Sequence, residues 1–426
     1  MMISDGLGPA SVSLARSYYQ HINGYDYDYL TPLDTIHVGQ SRTRSASSLV
    51  TDSAAGATAI SCGLKTYNRA IGVDPKGNPC GTVLESAKHQ HYMKTGLVAT
   101  SRITHATPAS FSAHIKDRDN EDGIAIQQIG DNPLGRSLDL MFGGGYCHFL
   151  PKSDKDGCRK DQRHLFNEAK ETHNWQTHMA YEIDRDITKE PSLTEMSKKA
   201  LDLLFDATSD SEKGFFLMIE GSRIDMAGHA NDPAAHVHDT LEYERTIALV
   251  KEYVEKHPGT IMISTSDHET GGLSLGRSVG EKYPEYKWNP EVLTKVKNSS
   301  EVVADLWRKA DKNEIATTDY LKENIISNYL GVNDISKEEI DRFMSAKTKK
   351  KSLKILATYF SEVVSRRAMI GWTGRGHSGV DVNLYAMGST TEALRGSHEN
   401  TDIGKFIANY LDLDLKNITE TLQQKK

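Results

Sequence analysis

No run in the 426-residue chain is long and apolar enough to span a membrane, so a membrane channel or carrier is not expected. The chain also lacks a basic surplus: 51 Lys and Arg stand against 58 Asp and Glu, a formal net charge of −7. No nucleic-acid or anionic-lipid surface is therefore expected, and a small-molecule substrate is the better default. Cysteine is scarce. The four present, Cys62, Cys80, Cys147 and Cys158, have neither the spacing of a zinc ribbon nor the density of a disulfide scaffold. Internal repeats and low-complexity tracts are absent, which removes solenoid and fibrous architectures. No signal-peptide pattern opens the chain. Met1 to Ile3 already read as a buried strand, so an upstream anchor or signal segment is expected in the full gene product.

What the chain does have is the composition of a globular protein, 38% hydrophobic and 26% charged, enough for a large core. Cys147 and Cys158 lie close together in the loop-like stretch YCHFLPKSDKDGC and are placed to bridge in an oxidising lumen. Asn298 and Asn417 head N-x-S/T triplets, which fit a secretory route. The lysines of AKTKKKSLK, Ala346 to Lys354, read as a solvated helix end.

Short apolar runs alternate with helical patterns, the signature of an α/β fold with a central, mostly parallel sheet flanked by helices. Each run ends on chemistry. MMIS leads to Asp5, TGLVATS toward His105 and Thr107, FFLMI to Glu220, and TIMISTS to Asp267 and His268. In such sheets the ligand crevice lies beyond the carboxyl ends of the strands, so four distant segments deliver carboxylates, imidazoles and a hydroxyl to one edge. Between about 275 and 370 the texture becomes helical, and it returns at GWTGRGHSG and VNLYAMG. That pattern predicts one catalytic domain over 1–426 with a helical insertion at about 275–370.

Each candidate residue has a plain reading beside a chemical one. Ser53, in VTDSAAGATAISCG, is either a helix cap or a nucleophile at a helix start that favours an anion. Asp225 and His229 are spaced i, i+4, which puts them on one helical face as a surface pair or as zinc ligands. Asp267 and His268 are adjacent, and they converge on an ion only if the strand gives way to a turn. His377 sits between glycines in TGRGHSG, structural or ligating. Thr107 precedes Pro108 and suits a helix N-cap, or an oxygen ligand of magnesium. Arg118 is a surface ion-pairing residue or a bidentate phosphate clamp.

The joint occurrence decides among these. The runs SDGLGPAS, TDSAAGATA, ITHATPASFSAH, FFLMIEGSRID with GHANDP, STSDHETGG, GHSGVDV and SHENTDIG stand in the order in which alkaline phosphatases carry them, and the chain resembles that family along nearly its whole length, the fungal vacuolar kind most closely. The resemblance implies a small crown-like region on the α/β fold and hydrolysis of a broad range of phosphate monoesters at alkaline pH. It implies that Ser53 becomes a phosphoserine and that Arg118 clamps phosphate. It also implies two zinc ions and one magnesium ion per chain. Asp225, His229 and His377 match the ligands of one zinc. Asp5, Asp267 and His268 match those of the other. Asp5, Thr107 and Glu220 match those of magnesium. A homodimer in a vacuolar or secretory lumen is the implied setting.

Two positions depart from relatives. His105 stands where bacterial members often carry Asp and animal members carry His, so the neighbouring magnesium site is expected to accept zinc more readily. Met226 stands where Lys or His usually lies near bound phosphate, and a thioether donates no hydrogen bond. Weaker phosphate retention is the expectation. Against a sulfatase, Ser53 is followed by Ala54, Ala55, Gly56 and Ala57 and not by the Pro and Arg of the sulfatase signature. A non-catalytic protein that keeps the fold is disfavoured because every expected ligand is present.

Overall fold

The structure is a computed structural model and describes residues 1–169, 179–278, 285–313 and 315–424. Its strands, in chain order, are β1 (Met2–Ile3), β2 (His37–Arg42), β3 (Lys94–Arg102), β4 (Leu140–Gly144), β5 (Phe215–Glu220), β6 (Met262–Thr265), β7 (Glu269–Thr270), β8 (Leu273–Leu275), β9 (Ile370–Trp372), β10 (His377–Ser378), β11 (Val382–Met387) and β12 (Gly396–Glu399). Eight of them form one sheet in the order β12-β2-β11-β6-β1-β5-β3-β4. All point the same way except β11, which is antiparallel to both β2 and β6. The apolar runs form the middle of this sheet because helices cover both faces, leaving no solvated side that would call for alternation. From Phe216 to Glu220 every residue of β5 is buried.

The strand ends are level. Ile3 pairs with Glu220 on one side and with Thr265 on the other, so Asp5, Glu220 and the Asp267–His268 pair leave the sheet at one height. The reversed strand matters as much. Because β11 runs backwards, the residues that precede it, and not those that follow, lie at this edge, and His377 arrives by that route. β10 pairs with β7 just beyond the sheet, His377 opposite Thr270.

Among the described residues between about 275 and 370 are the helices Pro290–Leu293, Ser300–Lys312, Lys337–Thr348 and Leu353–Ala368. Buried Trp307, Phe343 and Phe360 share one apolar cluster with Leu14 of the helix Pro9–Asn23 and with Ala234, Val237 and Leu241 of the helix Pro233–Lys256. Residues 279–284 and 314 of this region lie outside the described residues. The helix Lys337–Thr348 ends where Lys349, Lys350 and Lys351 are exposed. Cys147 bridges Cys158, and a second disulfide joins Cys62 to Cys80. The latter pair was not legible in the spacing: Cys62 closes the helix Ser53–Cys62 and Cys80 lies in the loop before the helix Val83–His91, so the fold alone brings them together.

Candidate active site

Ser53 is not a cap. Asp52 takes that place, its Oδ1 accepting from the Ala55 N–H at 3.0 Å, and Ser53 is the first helical residue and 2% exposed. The helix it starts is buried at all ten positions. Small residues permit this: a Cβ on Gly56 would lie 3.0 Å from Cβ of Asp267, so the bare backbone lets Asp267 approach. Thr107 likewise does not cap; the helix Ala106–Ala109 is capped at His105. That leaves Thr107 inside the first turn, fully buried and facing Glu220. The helix after β3 starts two residues earlier than the Thr-Pro signal suggests.

Asp225 and His229 lie one turn apart on the short helix Arg223–Ala230, with His229 Nε2 3.4 Å from Asp225 Oδ1. His377 Nε2 comes within 3.2 Å of His229 Nε2 and 3.7 Å of the same carboxylate oxygen. The second group is tighter. His268 Nε2 lies 3.1 Å from Ser53 Oγ, 3.3 Å from Asp267 Oδ2 and 3.4 Å from Asp5 Oδ1. The imidazoles of His268 and His377 stack face to face with centroids 3.5 Å apart, which joins the two groups. Asp5, His105 and Glu220 make a third convergence of ligand-type atoms. Ser101 Oγ donates to Glu220 Oε2 at 3.2 Å.

Two outward-facing nitrogens are fixed by backbone. His229 Nδ1 donates to the Arg375 carbonyl at 2.6 Å and His377 Nδ1 to the Thr51 carbonyl at 2.9 Å. A carbonyl only accepts, so each ring keeps its proton on Nδ1 and turns the Nε2 lone pair inward. Arg118 spans the other side, donating to Asp52 Oδ2 at 3.0 Å and to His105 Nε2 at 3.1 Å.

Comparison with known proteins shows the family of the chain. The model of the alkaline phosphatase family matches residues 1–177 and 175–413. The alkaline phosphatase of Schizosaccharomyces pombe is 46% identical over 99% of this chain and 82% of its own length. The chain belongs to the alkaline phosphatase family. It is a metal-dependent phosphomonoester hydrolase. The repressible alkaline phosphatase of Saccharomyces cerevisiae is 42% identical, covering 100% of this chain and 83% of that one. The crystal structure of a cold-active alkaline phosphatase from Shewanella superposes with a TM-score of 0.80 at 30% identity, covering 96% of this chain and 98% of the other.

The electrostatics of this alkaline phosphatase site ask for cations. Burial, then the neighbouring charges of Asp267, Asp225 and Glu220, push the Asp5 carboxyl far above the usual range. Burial first pushes Asp267 to about 6 and Glu220 to about 7. Both oxygens of Asp5, Oδ2 of Asp267 and Oε1 of Glu220 are buried with no hydrogen-bond partner among the described residues. Such atoms are costly unless a cation satisfies them, and carboxylates mixed with inward-facing imidazoles suit zinc and magnesium. The residues present therefore fit the metals the family requires. Asp52 escaped sequence reasoning as a contributor; its only signal was an acid preceding Ser53.

Proposed function

We propose that Ser53 is the nucleophile that accepts the phosphoryl group and that Arg118 holds phosphoryl oxygens during transfer. The observation that carries this is the position of Ser53 Oγ, at a helix start, 3.1 Å from His268 Nε2 among unpaired carboxylate oxygens. Ser53 Oγ gives up its proton and forms the bond to phosphorus as the bond between phosphorus and the ester oxygen breaks; that oxygen takes up a proton and leaves as the alcohol. A water then attacks the phosphoserine from the opposite side, the P–O bond to Ser53 breaks, and inorganic phosphate departs. Arg118 is pre-oriented by Asp52, so its remaining N–H groups meet the phosphoryl oxygens without first losing side-chain freedom. The helix dipole at Ser53 favours the same anion.

Asp225, His229 and His377 are assigned to one zinc, Asp5, Asp267 and His268 to a second, and Asp5, Thr107 and Glu220 to magnesium. His105 stands beside that last group. Bound, these ions neutralise the carboxylates, lower the pKa of coordinated oxygens and offset charge on the transferring group. Because nothing but the phosphoryl group need be gripped, a broad range of monoesters is the proposed substrate set. We place residues 1–426 in one catalytic domain with a helical insertion. The protein is further assigned to a homodimer in a vacuolar or secretory lumen. Two disulfides suit an oxidising compartment, and no helix among the described residues is long and apolar enough to cross a membrane. Of the two sequons, Asn417 is exposed, while the Asn298 amide donates to Asp184 Oδ1 at 3.1 Å.

The test is hydrolysis of a chromogenic phosphate monoester after chelation, with zinc and magnesium restored separately and Ser53→Ala as control. Zinc-dependent turnover that vanishes in the variant is expected. Equal turnover in the variant would overturn the assignment.

A further inference from the structure

Thr270 is buried and belongs to none of the ligand sets, yet it touches four segments that carry them. Its N–H donates to the Gly6 carbonyl at 3.2 Å, next to Asp5, and its backbone pairs across β7 and β10 with His377. Its single hydroxyl lies 2.6 Å from Asp225 Oδ1 and 3.2 Å from His268 Nδ1. Neighbouring backbone is shaped around it. A Cβ on Gly6 would lie 3.0 Å from Thr270 Oγ1, and a Cβ on Gly228 would lie 3.0 Å from its Cγ2.

One hydroxyl has one proton. A carboxylate can only accept, so the short contact to Asp225 takes that proton, and the hydroxyl oxygen is left to accept from His268. His268 must then carry its proton on Nδ1, with the Nε2 lone pair toward Ser53, Asp267 and Asp5. The other two imidazoles reach the same state through backbone carbonyls. We propose that Thr270 is a positioning residue whose hydroxyl sets the tautomer of His268 and the orientation of Asp225 together, and so tunes zinc binding in both groups at once. This rests on Asp225 and His268 being metal ligands. Partners of this kind typically change metal affinity 10- to 100-fold when removed. The Glu269 carbonyl also faces the His268 ring, so the variant must show whether the hydroxyl or that carbonyl governs.

Thr270→Val keeps the shape and deletes the hydroxyl; Thr270→Ser keeps the hydroxyl and deletes the methyl. In the metal-free full-length protein, with selectively 15N-labelled histidine and His268→Asn for assignment, the wild type and Thr270→Ser are expected to show the Nδ1–H form of His268. Thr270→Val is expected to lose that preference. Competition for zinc with a chromophoric chelator should show affinity down about 10- to 100-fold in Thr270→Val and within about threefold of wild type in Thr270→Ser. Retention of the tautomer in Thr270→Val would overturn the proposal in favour of the Glu269 carbonyl, and unchanged zinc affinity, or failure of Ser to restore it, would overturn it as well. A wild-type chain that binds no zinc would instead overturn the ligand reading, and the tautomer comparison would still judge the hydroxyl.

Discussion

Arg118 is tied to Asp52, its guanidinium donating to Oδ2 at 3.0 Å, while the other oxygen of Asp52 caps the helix that begins at Ser53. One carboxylate thus fixes the relative placement of the proposed nucleophile and the proposed phosphate clamp. Asn is as good a cap as Asp but carries no charge for the arginine. Asp52→Asn is expected to leave the thermal midpoint nearly unchanged and to raise the inhibition constant for inorganic phosphate about 3- to 10-fold. If phosphate release limits turnover, kcat rises with it. Inhibition curves with an unchanged constant would refute the tie.

Replacing Ser53 by Ala removes the only group proposed to bond phosphorus. Turnover is expected to fall at least about a thousandfold. Acid-quenched enzyme incubated with radiolabelled phosphate should carry label in the wild type and none in the variant; label that persists would place the nucleophile elsewhere.

Met226 packs partly buried beside Tyr181 and Ala227, with the Arg223 guanidinium touching its sulfur at 2.8 Å and stacked over the Tyr181 ring. A thioether donates no hydrogen bond to phosphate. Met226→His is expected to strengthen phosphate inhibition about 3- to 10-fold, the gain of one charge-assisted hydrogen bond. Identical inhibition in the two enzymes would end that idea.

Metal uptake should depend on pH in a defined sense. Asp267 at about 6 and Glu220 at about 7 hold protons in the metal-free protein that an incoming cation has to displace. Affinity for zinc and magnesium is therefore expected to climb as pH rises to about 7 and, for these two groups, to level above it. Calorimetry in buffers of differing ionisation enthalpy should record proton release on metal binding near pH 6. No release at pH 6 would contradict it.

Glu244 offers a pH test away from the metals. Burial pushes its carboxyl from the model-peptide range to about 7; Oε2 accepts from the Leu33 N–H at 3.0 Å and Oε1 has no partner among the described residues. A raised acid binds its proton more tightly in the folded than in the unfolded state. Its contribution is therefore full below about pH 4.5 and is lost as pH rises through about 7. Glu244→Gln, which mimics the protonated form, should be more stable than the wild type above pH 7 by roughly 2–3 kcal/mol and equal to it near pH 4. Denaturant melts that run parallel across this range would rule it out.

Much of the fold was legible in the residues. Continuous apolar runs ending in Asp5, Glu220 and Asp267 announced strands buried on both faces, because nothing polar interrupts them until the sheet's edge. Spacing alone put Asp225 and His229 on one helical turn. Backbone direction was not legible: β11 is as apolar as its neighbours, and no local signal says that it runs backwards, yet that reversal brings His377 to the site. The Cys62–Cys80 bridge was hidden for a similar reason, since it depends on which segments meet across the fold. The Asp52 cap is local, three residues from its Ala55 partner, and was masked only because Ser53 beside it is an equally good cap by residue type.

The sequence by itself determined the inventory: the strand ends, the Ala-rich helix that begins at Ser53, the ligand-type side chains and their order, all set by local periodicity and covalent spacing. Only the tertiary structure decided how single atoms share work. One hydroxyl on Thr270 shared by Asp225 and its near neighbour His268, one carboxylate on Asp52 shared by its own helix and Arg118, and the buried carboxyls of Asp5, Asp267 and Glu220 with their raised proton affinity each bring together segments tens to hundreds of positions apart. Such contacts are fixed by packing, which a linear pattern does not encode.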